Sequence, residues 1–192
     1  MSALAKSSLL TAIAVVGLVQ SLVIGWMVWD RVSLLSTGRE IRAAVVPVDP
    51  RDIFRGDYVT LGYGFTTGAD IALPDGARQG DTVYAVLASQ GASEWSLSGV
   101  TDEVPAKLAE GNVVLKGIVD SVRRGHASGP STVGRLRFGI ERFYVPQGEG
   151  VAIEQQVRDK RIVAVLAVGS DGKAALKGLE ADGKWIAQEP LL

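Results

Sequence analysis

The first strong pattern in the chain is an unbroken apolar stretch near its N-terminus. Leu9 to Trp29 reads LLTAIAVVGLVQSLVIGWMVW and contains no formally charged residue. As a helix it extends about 31 Å, which matches the roughly 30 Å hydrocarbon core of a bilayer. Trp26 and Trp29 lie at the end of the stretch, where indole rings favour the headgroup layer. The pattern predicts a transmembrane anchor over residues 9–29, preceded by a short tail over residues 1–8.

A cleaved signal peptide is the main alternative for this stretch. The apolar region of a signal peptide covers about 7–15 residues and is followed by small residues at the cleavage site. Here the run is longer and ends in Trp-Met-Val-Trp, so we expect an uncleaved signal anchor. A buried core helix is the other alternative, and the length of the run and its lack of charge disfavour it.

The remainder of the chain alternates between apolar and polar positions with the period of a β-strand. Within Gly56–Phe65, the side chains of Val59, Leu61, Tyr63 and Phe65 fall on one face, and the residues between them fall on the other. A period of two is typical of a half-buried strand. Similar short runs, separated by glycine-containing turns, predict further strands over residues 42–48, 81–88, 95–100, 112–122, 135–144, 162–168 and 174–180.

These elements predict the domain organisation. We expect a linker over residues 30–41, a single β domain over residues 42–192, one short helix over residues 149–160 and an exposed loop over residues 121–134. The predicted fold class is therefore mainly β: a single N-terminal transmembrane helix followed by a β-sandwich or partly open barrel with one short helix.

Composition excludes several classes of function. The 20 Lys and Arg against 21 Asp and Glu give a formal charge of −1, which excludes a nucleic-acid binder that depends on bulk positive potential. The chain has no cysteine, so it has no disulfide framework and no thiol nucleophile. Its one histidine, His126, lies in a loop rich in glycine and serine, which is a poor place to hold a general base. We expect no metal site and no cofactor.

The segment VDPRDIFRGDY carries three acidic residues, Asp49, Asp52 and Asp57, interleaved with Arg51 and Arg55. Carboxylates suit Ca²⁺ or Mg²⁺, but this spacing does not match a calcium loop. A turn braced by ion pairs and by hydrogen bonds from the backbone to aspartate is the favoured interpretation.

Two motifs identify a family resemblance. Residues 56–63 spell GDYVTLGY, matching the pattern GDYxxLxY, and residues 138–150 read FGIERFYVPQGEG. With the approach PVDPRDIFRGDYV, the chain after the apolar stretch resembles the GDYXXLXY-domain family of bacterial membrane-anchored proteins, which has no characterised function. Gln147 departs from the acidic residue expected after the proline. The resemblance implies a single-pass protein of the bacterial inner membrane and an accessory role beside a larger multi-span membrane protein.

The side of the membrane on which the domain lies is left open by the flanking charges. Lys6 precedes the span, whereas Arg31, Arg39 and Arg42 follow it, and this count favours a cytoplasmic domain. Large domains are translocated despite such charges. We expect the domain on the periplasmic or outer side.

The predicted function is a non-catalytic interaction module for another membrane or envelope protein. The candidate binding residues are Arg51, Asp52, Arg55, Asp57, Tyr58 and Glu141, because Tyr58 lies on the outward face of the motif strand and the charged residues flank it. One alternative is a signal-peptidase-like hydrolase with a Ser-Lys dyad that uses Lys107 or Lys116. Another is an envelope domain that binds a small molecule or a metal ion.

Overall fold

The computed structural model describes residues 3–46, 58–66, 70–125, 129–144 and 162–189, with side chains from residue 12 onward. Two compact units are distinguished, Met1–Ser33 and Leu34–Leu192. The described residues contain one helix, α1 (Ala3–Thr37), and twelve strands: β1 (Arg39–Val46), β2 (Tyr58–Thr60), β3 (Gly62–Tyr63), β4 (Ile71–Ala72), β5 (Thr82–Ser89), β6 (Trp95–Thr101), β7 (Val113–Arg124), β8 (Thr132–Arg137), β9 (Arg142–Tyr144), β10 (Ile162–Val168), β11 (Ala174–Ala181) and β12 (Lys184–Gln188).

Helix α1 contains the apolar stretch. Its segment Ala12–Thr37 has a window with a mean hydropathy of 2.0, and no residue of that window is buried inside the protein. Trp26 and Trp29 are 73% and 72% exposed. By length and composition α1 is able to cross a membrane, and it is the single helix of this kind in the described part of the chain.

The expected linker over residues 30–41 is corrected by the structure. Helix α1 continues through Thr37 and β1 begins at Arg39, so the connection between them is Gly38 alone. The Gly38 N–H donates to the Leu34 carbonyl oxygen at 2.9 Å, which closes the last helical turn. A Cβ atom at Gly38 would lie 2.5 Å from that oxygen, so only glycine fits. Residues 30–37 contain neither proline nor glycine, so nothing in them stops the helix before Gly38.

The β domain is built from three antiparallel sheets. The first sheet has the order β12-β11-β10-β1-β3, the second has the order β4-β8-β7-β5-β6, and the third pairs β2 with β9. Both five-stranded sheets contribute buried side chains to one hydrophobic core. One five-stranded sheet curls into a nearly closed, barrel-like form, and the prediction of a mainly β fold with a sandwich or partly open barrel is confirmed.

The core is made by the strand faces that the alternation predicted. Val59, Leu61, Tyr63 and Phe65 all point inward and are 7% exposed or less. The strands predicted over residues 162–168 and 174–180 are also present, since β10 pairs with β11 across a turn in which Gly172 adopts a φ of 81°. Local alternation was therefore sufficient to find the buried faces.

Two further expectations need correction. Strands β7 and β8 extend into the predicted loop over residues 121–134, since Arg123 pairs with Val133 and Arg124 with Thr132. Cross-strand pairing satisfies the backbone of this segment and overrides its loop-like composition. The predicted strand over residues 135–144 is divided into β8 and β9, because Gly139 turns the chain with a φ of 79°. The predicted helix over residues 149–160 lies outside the described residues.

Candidate functional site

The motif GDYVTLGY lies where two of the sheets meet. Its described part, residues 58–63, is extended and pairs twice: β2 pairs with β9, and β3 pairs with β1 of the first sheet. Between these pairings, the Leu61 N–H donates to the Glu141 carbonyl oxygen at 2.8 Å. The motif therefore connects the small β2–β9 sheet to the main core.

The inward half of the motif is structural. The Tyr63 side chain is fully buried, and its hydroxyl donates to the Ile140 carbonyl oxygen at 2.8 Å. Its ring stacks on Phe65 with 5.3 Å between centroids. Burial raises the pKa of Tyr63 above its ordinary value, and the nearby negative charge of Glu141 raises it further. Tyr63 therefore stays protonated and serves as a hydrogen-bond donor inside the core.

Glu141 braces the turn between β8 and β9. Its carboxylate accepts hydrogen bonds from the backbone N–H groups of Phe138, at 2.6 Å, and Gly139, at 2.8 Å. These bonds hold the chain in the conformation that gives Gly139 its positive φ. Arg51 and Arg55, which precede the motif, lie outside the described residues. Within those residues, the contacts of Glu141 are those of a turn-forming side chain.

The outward half of the motif forms an exposed surface that we call the tyrosine–arginine patch, made of Tyr58, Arg142 and Tyr144. Tyr58 and Tyr144 face each other across β2 and β9, with 5.9 Å between ring centroids. The Arg142 guanidinium lies 5.1 Å from the centroid of the Tyr58 ring, a cation–π contact. Tyr144 is 70% exposed. Backbone pairing thus holds two aromatic rings and one cation together at the surface.

Among the predicted binding residues, the structure places Tyr58 in this patch and Glu141 in the adjacent turn. The other four, Arg51, Asp52, Arg55 and Asp57, lie outside the described residues. Sequence reasoning missed Tyr144 and Arg142 as members of the surface. The only sequence signal that bears on them is their position in the second motif, IERFY, and nothing in the sequence says that this motif pairs with the first.

The residues considered for other chemistry are spread over the domain. Lys116 lies on β7, Lys107 lies in the exposed segment before it, and neither lysine is hydrogen-bonded to a serine hydroxyl in the part of the chain that the structure describes. His126 lies outside the described residues. A group of three or more metal-ligating side chains is not found among the residues described.

Comparison with known proteins agrees with the motifs. The family model described as "GDYXXLXY protein" matches residues 20–179, a range that includes the end of the apolar stretch and nearly all of the β domain. No curated protein and no solved structure matches the chain. Both motif halves described above fall inside the matched range. The chain therefore belongs to the GDYXXLXY protein family.

Proposed function

We propose that this protein is a membrane-anchored, non-catalytic module that binds another membrane or envelope protein through the tyrosine–arginine patch. The patch is the observation that carries the proposal. Tyrosine and arginine are the residue types most enriched at the energetic centres of protein interfaces. Because the Tyr58 ring already contacts Tyr144 and Arg142, we expect binding of a partner to cost less side-chain entropy there than at isolated surface residues.

Helix α1 supports the anchoring part of the proposal. The apolar segment Ala12–Thr37 has 26 residues and is about 39 Å long as a helix, more than the roughly 30 Å of a bilayer core. The apolar side chains from Ile13 to Trp29 are exposed, and lipid is the environment that would cover them. A cleaved signal sequence would meet the same test of length and composition, so retention of this helix in the mature protein is part of the proposal.

We further propose that the β domain lies on the periplasmic or outer side of a bacterial inner membrane. Arg39 and Arg42, which follow the apolar stretch, have hydrogen-bond partners within the β domain. Arg39 donates to the Asn112 carbonyl oxygen at 2.9 Å, and Arg42 makes two hydrogen bonds to Glu180. The fold thus gives a reason for their presence that is independent of orientation, which weakens the charge count in favour of a cytoplasmic domain.

The interaction is tested by cross-linking the full chain in native membranes, followed by purification in mild detergent. We expect one membrane or envelope protein to be recovered in stoichiometric amount, and Tyr144→Ala and Arg142→Ala to remove it. Trp185→Ala is the matched control, because Trp185 is also an exposed aromatic residue, at 42%, but lies on β12. Failure to recover a partner, or equal loss with Trp185→Ala, would contradict the proposal.

Anchoring and orientation are tested separately. After alkaline carbonate extraction, we expect the intact chain in the membrane pellet. A reporter fused after Leu192 that is active only in the periplasm is expected to give signal, whereas a signal from a cytoplasmic reporter would reverse the proposed orientation.

A further inference from the structure

The two edge strands of the second sheet meet at one opening, which residues of β1 also line. Strands β4 and β6 stand at opposite ends of the sheet order, yet both line one cleft of about 930 Å³. We call this the seam cleft. Among the described strands, β6 pairs with β5 alone and β4 with β8 alone, so each has one unpaired edge. Nothing in the motif or in the proposed function uses this cleft.

We propose that the seam cleft binds an extended, mainly apolar peptide segment of another protein, which adds a strand to β6. An unpaired strand edge is a template for such a segment, because its N–H and C=O groups bond to the added backbone. This inference is independent of the tyrosine–arginine patch, since the patch lies on β2 and β9.

Strand β6 lacks most of the features that protect a sheet edge. Its sequence, WSLSGVT, spans seven residues and contains no charge and no proline. Natural edge strands are usually very short, charged or interrupted by proline. Its one irregularity is Ser98, which is the extra residue of a bulge between the Val86–Gly99 and Leu87–Leu97 pairs. Two stretches of regular strand, one on each side of Ser98, remain available for pairing.

Both walls of the cleft are held in place by the rest of the domain. At the start of β6, the Trp95 indole N–H donates to the Arg42 carbonyl oxygen at 2.8 Å, and nearby the Ala44 N–H donates to the Ser93 carbonyl oxygen at 2.8 Å. These bonds tie the β5–β6 hairpin to β1. The cleft wall is therefore ordered before a ligand arrives, which lowers the entropic cost of binding.

The opposite wall is fixed to the second sheet by its own contacts. The Leu73 N–H donates to the Thr132 carbonyl oxygen at 3.0 Å, and Asp70 forms an ion pair with Arg123. The side chains of Phe65, Ile71 and Leu73 provide an apolar lining.

Charge distinguishes a peptide from a lipid as the occupant. Among the described residues, the charged ones that line the cleft are Asp70 and Glu94, and none of the described lining residues is basic. Arg123 neutralises Asp70, whereas the exposed Glu94 has no ionic partner among the described residues. A fatty acid or an anionic phospholipid would bring a second negative charge to Glu94. An apolar segment that carries a lysine or arginine near one end complements both the apolar lining and this carboxylate.

Binding is tested with the full-length chain in detergent and two capped synthetic peptides that alternate valine with threonine. One peptide carries a terminal lysine, and its match carries a glutamate. We expect the lysine peptide to slow amide hydrogen exchange in Trp95–Thr101. Glu94→Gln should weaken binding of the lysine peptide by about twofold to fivefold, the usual range for an exposed ion pair, without weakening binding of the glutamate peptide. Tyr144→Ala should leave peptide binding unchanged, because Tyr144 lies outside the cleft.

A cross-linking experiment locates the bound peptide. The chain has no native cysteine, so Ser98→Cys introduces a unique thiol on β6, and Ser170→Cys provides a control that is also exposed, in the β10–β11 turn. A lysine peptide that ends in an activated disulfide is expected to react faster with Ser98→Cys than with Ser170→Cys.

Three results would overturn the proposal. One is equal reactivity of both cysteine variants together with unchanged exchange in β6. Another is slower amide hydrogen exchange in β6 with the fatty acid decanoate, added in place of a peptide, but with neither peptide. That result would assign the cleft to a lipid. The third is a disulfide-linked dimer of Ser98→Cys formed without peptide, which would assign the β6 edge to a second copy of the chain.

Discussion

Successive residues of the motif segment 58–63 point to opposite faces, and the two faces have different surroundings. Tyr63 is fully buried with its hydroxyl bonded to Ile140, whereas Tyr58 lies at the surface between Arg142 and Tyr144. One family motif thus places one tyrosine in the core and another at the surface. Because the two environments differ, each face of the motif can be tested by itself.

The largest expected effect on stability is at the inward face. Tyr63→Ala removes a fully buried aromatic ring and its hydrogen bond. Truncation of a buried aromatic side chain costs about 3–5 kcal/mol. We expect the unfolding midpoint of the detergent-solubilised β domain in denaturant to fall sharply, measured by circular dichroism. A change below about 1 kcal/mol, the ordinary size for a point mutation, would contradict the structural role of the inward face.

A smaller effect is expected from Tyr63→Phe, which keeps the ring and removes only the hydroxyl. The Ile140 carbonyl oxygen then loses its buried donor, at a cost of about 1–3 kcal/mol. This variant is also expected to change how the stability of the protein depends on pH. Because the pKa of Tyr63 is raised in the folded protein, only the unfolded chain ionises near the ordinary tyrosine pKa of about 10.

The contribution of Tyr63 to the free energy of unfolding is therefore fully present below about pH 10, and it decreases as the pH rises above that value. We expect the wild-type chain to lose stability more steeply than Tyr63→Phe between neutral and strongly alkaline pH. Denaturant titrations over this range measure the difference, and equal slopes would show that Tyr63 titrates normally.

The smallest expected effect on stability is at the outward face. Tyr144→Ala removes a side chain that is 70% exposed, and substitutions at such positions usually change stability by about 0.5 kcal/mol or less. We expect its unfolding midpoint to match that of the wild-type chain while partner recovery is lost. A large destabilisation by Tyr144→Ala would remove the distinction between the two faces.

Local sequence patterns predicted the faces but not the neighbours. Alternation placed Leu61 and Tyr63 in the core and Tyr58 outside it, because side-chain direction depends only on the period of an extended chain. The pairing of Tyr58 with Tyr144 joins residues far apart in the chain, and no local pattern encodes such a register. The patch could therefore be predicted only in part.

The seam cleft shows the same limit more strongly. It forms because the edge strands β4 and β6 of one sheet lie at the same opening. The run WSLSGV predicted a strand correctly, yet its position at an edge depends on the order of all five strands. Helix α1 is the opposite case, since length and hydropathy alone identified it, and only its C-terminal limit at Thr37 required the structure.

The double pairing of the motif has a consequence for how the domain comes apart. Residues 58–63 form one continuous segment in which β2 pairs with β9 and β3 pairs with β1. The hydrogen bond from the Leu61 N–H to the Glu141 carbonyl oxygen lies between the two pairings. Separation of β9 from β2 would strain the turn that supports Ile140, to which the core tyrosine is bonded. We therefore expect the surface that carries Tyr58 and Tyr144 to belong to the same cooperative unit as the interior and to unfold with the whole domain instead of fraying first.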